Sequence, residues 1–258
     1  MKRIVYFFVA LLLSVSLVPL TVVNSFADGR DSWYVKRNGE HKQPTLDANL
    51  RYIEGKNTYY IDRNHSDDAE EKVIYLTFDA GYENGNVEKI LDVLKEENVR
   101  GTFFVLDHLI RVNTELVKRM ANEGHIVANH TMKHKDMTTL SHDEFCAELS
   151  GLETLYHDIT GNEMGKFYRP PQGVFNSQNL EWASSLGYKT ILWSFAYADW
   201  DNDKQMSEEK AMKIIMDNLH NGEIMLLHPT SETNAKIMRR LIRELKAMGY
   251  SFHTVDEL

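Results

Sequence analysis

A single cysteine, Cys146, stands in 258 residues, so no internal disulfide can staple this fold. It lies in a helical pattern and reads as a small packing residue, with an intermolecular bridge as the alternative. Basic residues are also short: 29 Lys and Arg against 38 Asp and Glu, a formal net charge of −9. Nucleic acid and anionic lipid both require a basic face, so this balance argues against them as partners and a neutral substrate fits better. No glycine-rich phosphate loop follows any apolar run, so a nucleotide-binding fold is disfavoured. Internal repeats and low-complexity segments are absent, and no apolar run after residue 23 is long enough to span a bilayer.

The chain begins with Met1, Lys2 and Arg3, runs apolar from Ile4 to Val23, and leaves that run at Ser25-Phe26-Ala27. A charged start, an apolar centre and a small-x-small exit predict a signal peptide over 1–27, cut before Asp28. The protein is therefore expected to be exported to the cell envelope, with an uncleaved anchor as the alternative. Without that leader, 27 basic residues face 38 acidic ones, a charge of −11. Residues 28–72 are polar and irregular, with the acidic stretch "DRNHSDDAEEK", and read as an N-terminal extension that wraps the domain or links it to the envelope.

From residue 73 the pattern alternates. Apolar, β-branched or aromatic runs at 73–78, 101–106, 125–129, 166–169, 189–195, 223–228 and 251–255 predict seven strands. Helical spacing separates most of them, in Val87, Ile90, Leu91 and Leu94, in Phe145, Leu149, Leu152 and Leu155, and in Ile237, Leu241 and Leu245. Ser141 with Glu144 forms a capping-box pattern, Gly161 ends that helix, and Ser207 opens another. Strands alternating with helices predict one α/β domain over 73–258 with a parallel sheet, open or closed as a barrel.

Polar residues interrupt these runs at a consistent place. Asp79 closes the first, His130 follows the third, Arg169 ends the fourth, Asp199 and Trp200 lie just past the fifth, and His228 ends the sixth. In a parallel barrel these are C-terminal strand ends, the face on which such folds build their sites. Each piece alone has a plain alternative. His130 and His134 are four apart, close enough to share a metal if the turn is helical, but a chain with this many histidines shows that spacing by chance about one time in two. They also read as two solvated loop histidines, His228 as a satisfied strand-end residue, and Arg169 before Pro170-Pro171 as an ion-paired loop anchor.

In order, "TFDAG", "HTMKH", "RPPQG", "ADW" and "LLH" resemble the five motifs of the polysaccharide deacetylases, the family 4 carbohydrate esterases with a NodB-homology domain. "GYENG", "RPPQGVF" and the extension with Trp33, Lys36, Arg37, His41 and Pro44 are similar to a subgroup. That subgroup is the delta-lactam-biosynthetic de-N-acetylases of spore cortex peptidoglycan. The resemblance implies a distorted (β/α)7 barrel and an amide hydrolase with a peptidoglycan glycan strand as substrate, acting as a monomer. It maps the base onto Asp79, the Arg that pairs with the base onto Arg169, and the metal ligands onto His130 and His134. The general acid falls on His228, with Asp199 raising its pKa. Trp200 and Leu226, with Pro171 nearby, would wall the pocket for the acetyl group.

Ala80 is the departure. The family usually carries a second Asp there as third metal ligand, and the lactam subgroup tends to carry Asn. Alanine offers no donor, so a divalent ion, Zn first with Co or Mn open, is expected to be weakly held. Water, or Glu83, Asn84 or Asn129, would fill the vacancy, or the metal would be dispensable; a looser two-histidine site with extra water is the reading preferred. Three functions follow from the resemblance: an N-acetylmuramic acid deacetylase, an N-acetylglucosamine deacetylase of peptidoglycan or a chitin-like polymer, and a glycan-binding pseudoenzyme.

Overall fold

In a β-strand successive side chains face opposite sides of the sheet, and along Lys72–Ala80 both sides are buried. Val73 and Tyr75 join an inner cluster with Phe104, Ala128, Ile191, Ile224 and Val255. Ile74, Leu76, Phe78 and Ala80 instead join an outer layer built with the helices. Burial on both faces is why this stretch reads as one apolar run rather than as an alternation.

In the computed structural model, which describes residues 29–37 and 39–258, ten strands and seven α-helices occur in chain order. The strands are β1 (Asp31–Ser32), β2 (Thr58–Tyr59), β3 (Lys72–Ala80), β4 (Thr102–Val105), β5 (Ile126–Asn129), β6 (Gly165–Tyr168), β7 (Val174–Phe175), β8 (Lys189–Ile191), β9 (Glu223–Leu227) and β10 (Tyr250–His253). The helices are α1 (Val87–Glu96), α2 (Asp107–Val112), α3 (Thr114–Asn122), α4 (His142–Thr160), α5 (Ser177–Ser185), α6 (Glu208–Asn218) and α7 (Glu232–Ala247). The expected signal peptide lies outside the described residues. Among the described residues, no helix is long and apolar enough to cross a membrane.

The large sheet is parallel, in the order β10-β3-β4-β5-β6-β8-β2, and β9 also pairs with β3. Past β8, Phe195 bridges in parallel to Met225 of β9, which curls the sheet into a distorted barrel. All seven expected runs are strands of this sheet. β8 is shorter than expected because its partner changes: the Leu192 N–H donates to Tyr59 of the extension, while the Ser194 N–H donates to Ile224 of β9.

Three expected helix signals are realised as hydrogen bonds. Ser141 and Glu144 form the reciprocal capping box of α4, Gly161 closes that helix, and the Ser207 side chain accepts from the Lys210 N–H to open α6. The spacing did not disclose α2, α3 and α5. The extension carries β1, β2 and a 3-10 turn at Ala48–Ile53, and it buries Trp33, Leu50, Ile53, Tyr60 and Ile61 against Phe175, Leu180 and Leu192.

Candidate active site

Asp79 is the last inward-facing residue of β3, and its carboxylate reaches a cavity of about 710 Å³ at the C-terminal ends of the strands. The cavity is also lined by His130, His134, Trp200, Leu226 and His228, so six of the nine expected site residues meet on one hollow. Its volume is in the range of small-ligand sites.

Arg169 follows β6 and has no exposed surface. Its Nη1 donates to Asp79 Oδ1 at 2.9 Å, and its Nη2 donates to Thr77 Oγ1 at 2.9 Å and to the Leu192 carbonyl at 3.2 Å. Its Nε donates to the Ile191 carbonyl at 3.0 Å, and the guanidinium lies over the Phe104 ring at 4.1 Å. A buried cation needs partners on nearly every donor, and this one has them. Burial alone would push the Asp79 carboxyl up; the charges of His130, Arg169 and His228 outweigh it and hold Asp79 below the usual carboxylate range. Of the three, Arg169 is the permanent charge, because burial drives His130 down to about 4 and leaves its imidazole neutral above that.

His130 Nδ1 lies 2.9 Å from the Arg169 carbonyl, an acceptor only, so Nδ1 carries the proton and the bare Nε2 faces Asp79 Oδ2 at 3.6 Å. The His134 ring sits 5.0 Å from that of His130, centroid to centroid, and burial depresses it too. The turn between them is not helical. Thr131 and His134 have φ of 74° and 53°, so the rings meet through a strained loop rather than through one helical turn.

His228 follows β9, and its Nδ1 lies 2.7 Å from Asp199 Oδ1. Asp199 Oδ2 also accepts the His228 backbone N–H at 2.8 Å and Asn234 Nδ2 at 2.6 Å. Burial would lower His228, but the hydrogen bond and charge of Asp199, with the charge of Asp79, raise it above the ordinary imidazole value. Asp199 itself is buried behind the histidine. Trp200 is 61% exposed at the rim, its ring 6.2 Å from that of His228.

Pro171 is buried and stands beside the cavity rather than on it; its neighbours Gln172 and Gly173 line the wall. Tyr82, Leu106, Trp193, Tyr197 and Thr230 are further wall residues that the sequence reading passed over. Tyr82, Leu106 and Trp193 each sit at or just past a strand run, a usable signal; Gln172, held at φ 58°, gave none.

Among the described residues, no group of three or more His, Cys, Asp or Glu side chains is arranged to hold a metal ion. Two neutral imidazoles, one fixed by a carbonyl bond from its far nitrogen, still fit a divalent ion such as zinc. The three neighbours considered as stand-ins for Ala80 are all committed elsewhere. Glu83 accepts from the Gly85 and Glu88 N–H groups. Asn84 donates to Thr230, and Asn129 bonds Leu149, Tyr188 and Thr131.

The family model for polysaccharide deacetylase matches residues 66–191. The chain is 40% identical over 228 residues to the peptidoglycan-N-acetylmuramic acid deacetylase PdaA of Bacillus subtilis, covering 88% of this chain and 85% of that protein. It is 31% identical over 189 residues to a peptidoglycan-N-acetylglucosamine deacetylase of Bacillus cereus, covering 72% of this chain and 67% of that one. The solved structure of B. subtilis PdaA, a family 4 carbohydrate esterase, superposes with a TM-score of 0.83 at 39% identity, over 90% of this chain and 97% of that one. This chain belongs to the polysaccharide deacetylase family, the family 4 carbohydrate esterases, hydrolases that cut an amide bond.

Proposed function

We propose that the protein is an exported peptidoglycan deacetylase that removes the acetyl group from N-acetylmuramic acid, freeing the amine that later closes a muramic delta-lactam in spore cortex. One observation carries the chemistry: a carboxylate held ionised by Arg169 and an imidazole held protonated by Asp199 open on the same cavity. The 40% identity to PdaA, against 31% to the glucosamine enzyme, supports the muramic sugar.

In this reading Asp79 takes the proton from the attacking water, and the departing amine receives a proton from His228. Arg169 keeps Asp79 turned and ionised, and Asp199 keeps Nδ1 of His228 occupied so that Nε2 faces the leaving group. Leu226 and the aromatic wall of Trp193 and Trp200 exclude water around the acetyl group. His130 and His134 would hold a divalent ion, zinc first, which when bound supplies positive charge to the developing oxyanion and acidifies water.

Acetate release from stem-free muramic strands and from chitooligosaccharide decides the substrate, with Asp79→Asn as control. That variant should lose about 10²–10⁴ in turnover, the usual weight of a general base. Ala80 favours a second reading, a glycan-binding pseudoenzyme. It would prevail if no glycan releases acetate with zinc, cobalt or manganese added while glycan still binds.

A further inference from the structure

Residues 33–37 of the N-terminal extension lie behind one wall of the active-site cavity. β1 pairs antiparallel with β7, Asp31 opposite Phe175 and Ser32 opposite Val174. The pairing continues as the Trp33 backbone N–H donates to the Gly173 carbonyl at 2.8 Å. That register sets the Trp33 indole against the wall, where its Nε1 donates to the Trp193 carbonyl at 2.9 Å. Gly173 has a φ of +66°, and a Cβ there would lie 2.7 Å from the Trp193 ring and 3.1 Å from Trp33 Cβ. The close contact of these three residues is therefore one that only glycine permits.

Four residues on, the Arg37 guanidinium donates to the Ala196 carbonyl and lies 5.4 Å from the Phe195 ring centroid. Between these two grips Tyr34 and Lys36 both bind Asp47, Lys36 at 2.6 Å, so the strap is itself anchored in the extension. Gly173, Trp193 and Ala196 all line the cavity. Strand β8 has already ended at Ile191, so this wall lies outside the regular ladder.

We infer that Trp33 and Arg37 are positioning residues. They set the place of the Trp193–Ala196 wall, and with it the affinity for glycan, without touching the reacting atoms. The inference rests on the deacetylase reading for where the glycan sits, and not on which sugar is preferred.

Arg37 is exposed, so Arg37→Ala should fold, and Arg37→Lys keeps a donor; Trp33→Phe keeps the ring and removes its N–H. One hydrogen bond is worth up to about tenfold in affinity. In the full chain, Arg37→Ala and Trp33→Phe should raise KM by about that factor with kcat nearly unchanged, and Arg37→Lys should recover part of it. In an Asp79→Asn background, calorimetry with stem-free peptidoglycan strands and with chitooligosaccharide should show the same loss on adding Arg37→Ala. Unchanged KM and unchanged glycan affinity would overturn the strap, as would a fall in kcat alone. Weakened binding beside a parent that releases no acetate would remove the hydrolase reading and leave the strap standing.

Discussion

His130 is buried and His228 partly buried, both at strand ends, yet their surroundings drive the two imidazoles to opposite states. At His130 burial outweighs the Asp79 charge and the bond to a carbonyl, so it is neutral; His228 is hydrogen-bonded to the Asp199 carboxylate, which outweighs burial and holds its proton. A neutral imidazole suits a ligand and a protonated one suits an acid. The alkaline limb of the pH–rate profile should therefore follow His228 and lie above the ordinary imidazole range, since activity is lost as that proton leaves. Asp199→Asn removes the charge that raises it, so the limb should move to lower pH; a limb that stays in place would count against His228 as the acid. Ala80 sets a second prediction. Its methyl packs in the outer apolar layer, so an aspartate there should cost the metal-free protein about 1–3 kcal/mol. Ala80→Asp should also tighten zinc binding by calorimetry, provided that the strand end turns the new carboxylate from that layer toward His130 and His134; unchanged affinity would show that position 80 cannot supply the donor in this fold. The residue types of the site were legible because ionisable side chains at the ends of apolar runs are conspicuous. The tautomer of His130 was not, because it depends on the carbonyl of a residue 39 positions away.

The loop from His130 to His134 shows how an element can be held by its neighbours rather than by its own propensity. Thr131 is β-branched with a positive φ, a conformation that persists only where surrounding bonds over-determine it. They do so here: Asn129 Oδ1 accepts the Thr131 N–H, Thr131 Oγ1 accepts the His134 N–H, and the Glu148 backbone carbonyl accepts the Met132 N–H. The Glu148 side chain, reaching up from α4, takes the Lys133 N–H at 2.9 Å and pairs with Lys135 at 2.8 Å. Outer partners of metal ligands typically carry 10–100-fold in affinity, so Glu148→Ala should weaken zinc binding by about that much while Glu148→Gln, which keeps an acceptor, loses less. Equal affinities in all three proteins would show that the loop holds itself. The helical spacing in "HTMKH" was misleading here, because four-residue separation constrains a helix but says nothing about a loop. By contrast α4 was legible, since its cap and its apolar face are local features; α2 and α3 are short and have no side-chain cap to announce them.

At the scale of the molecule the extension is part of the core. Removing residues 29–71 would bare Phe175, Leu180 and Leu192 and strip β8 of its edge partner β2. A chain starting at Lys72 should therefore bind a hydrophobic dye and unfold at lower denaturant than the full chain; equal midpoints would mean that the extension is dispensable for folding. The sequence by itself determined the seven strands, helices α1, α4, α6 and α7 through their apolar spacing or cap, and the ionisable residues at strand ends. Periodicity, capping and turn chemistry act over a few residues and can be read along the chain. Local pattern did not pair Arg169 with Asp79 or Asp199 with His228; the family resemblance did, and the tertiary structure makes both contacts, across 90 and 29 residues. Tertiary structure alone decided that Trp33 reaches Trp193 across 160 residues. Those pairings arise because parallel strands joined by crossovers all deliver their C-terminal ends to one rim, and because the irregular extension finds its place only by the surface it buries.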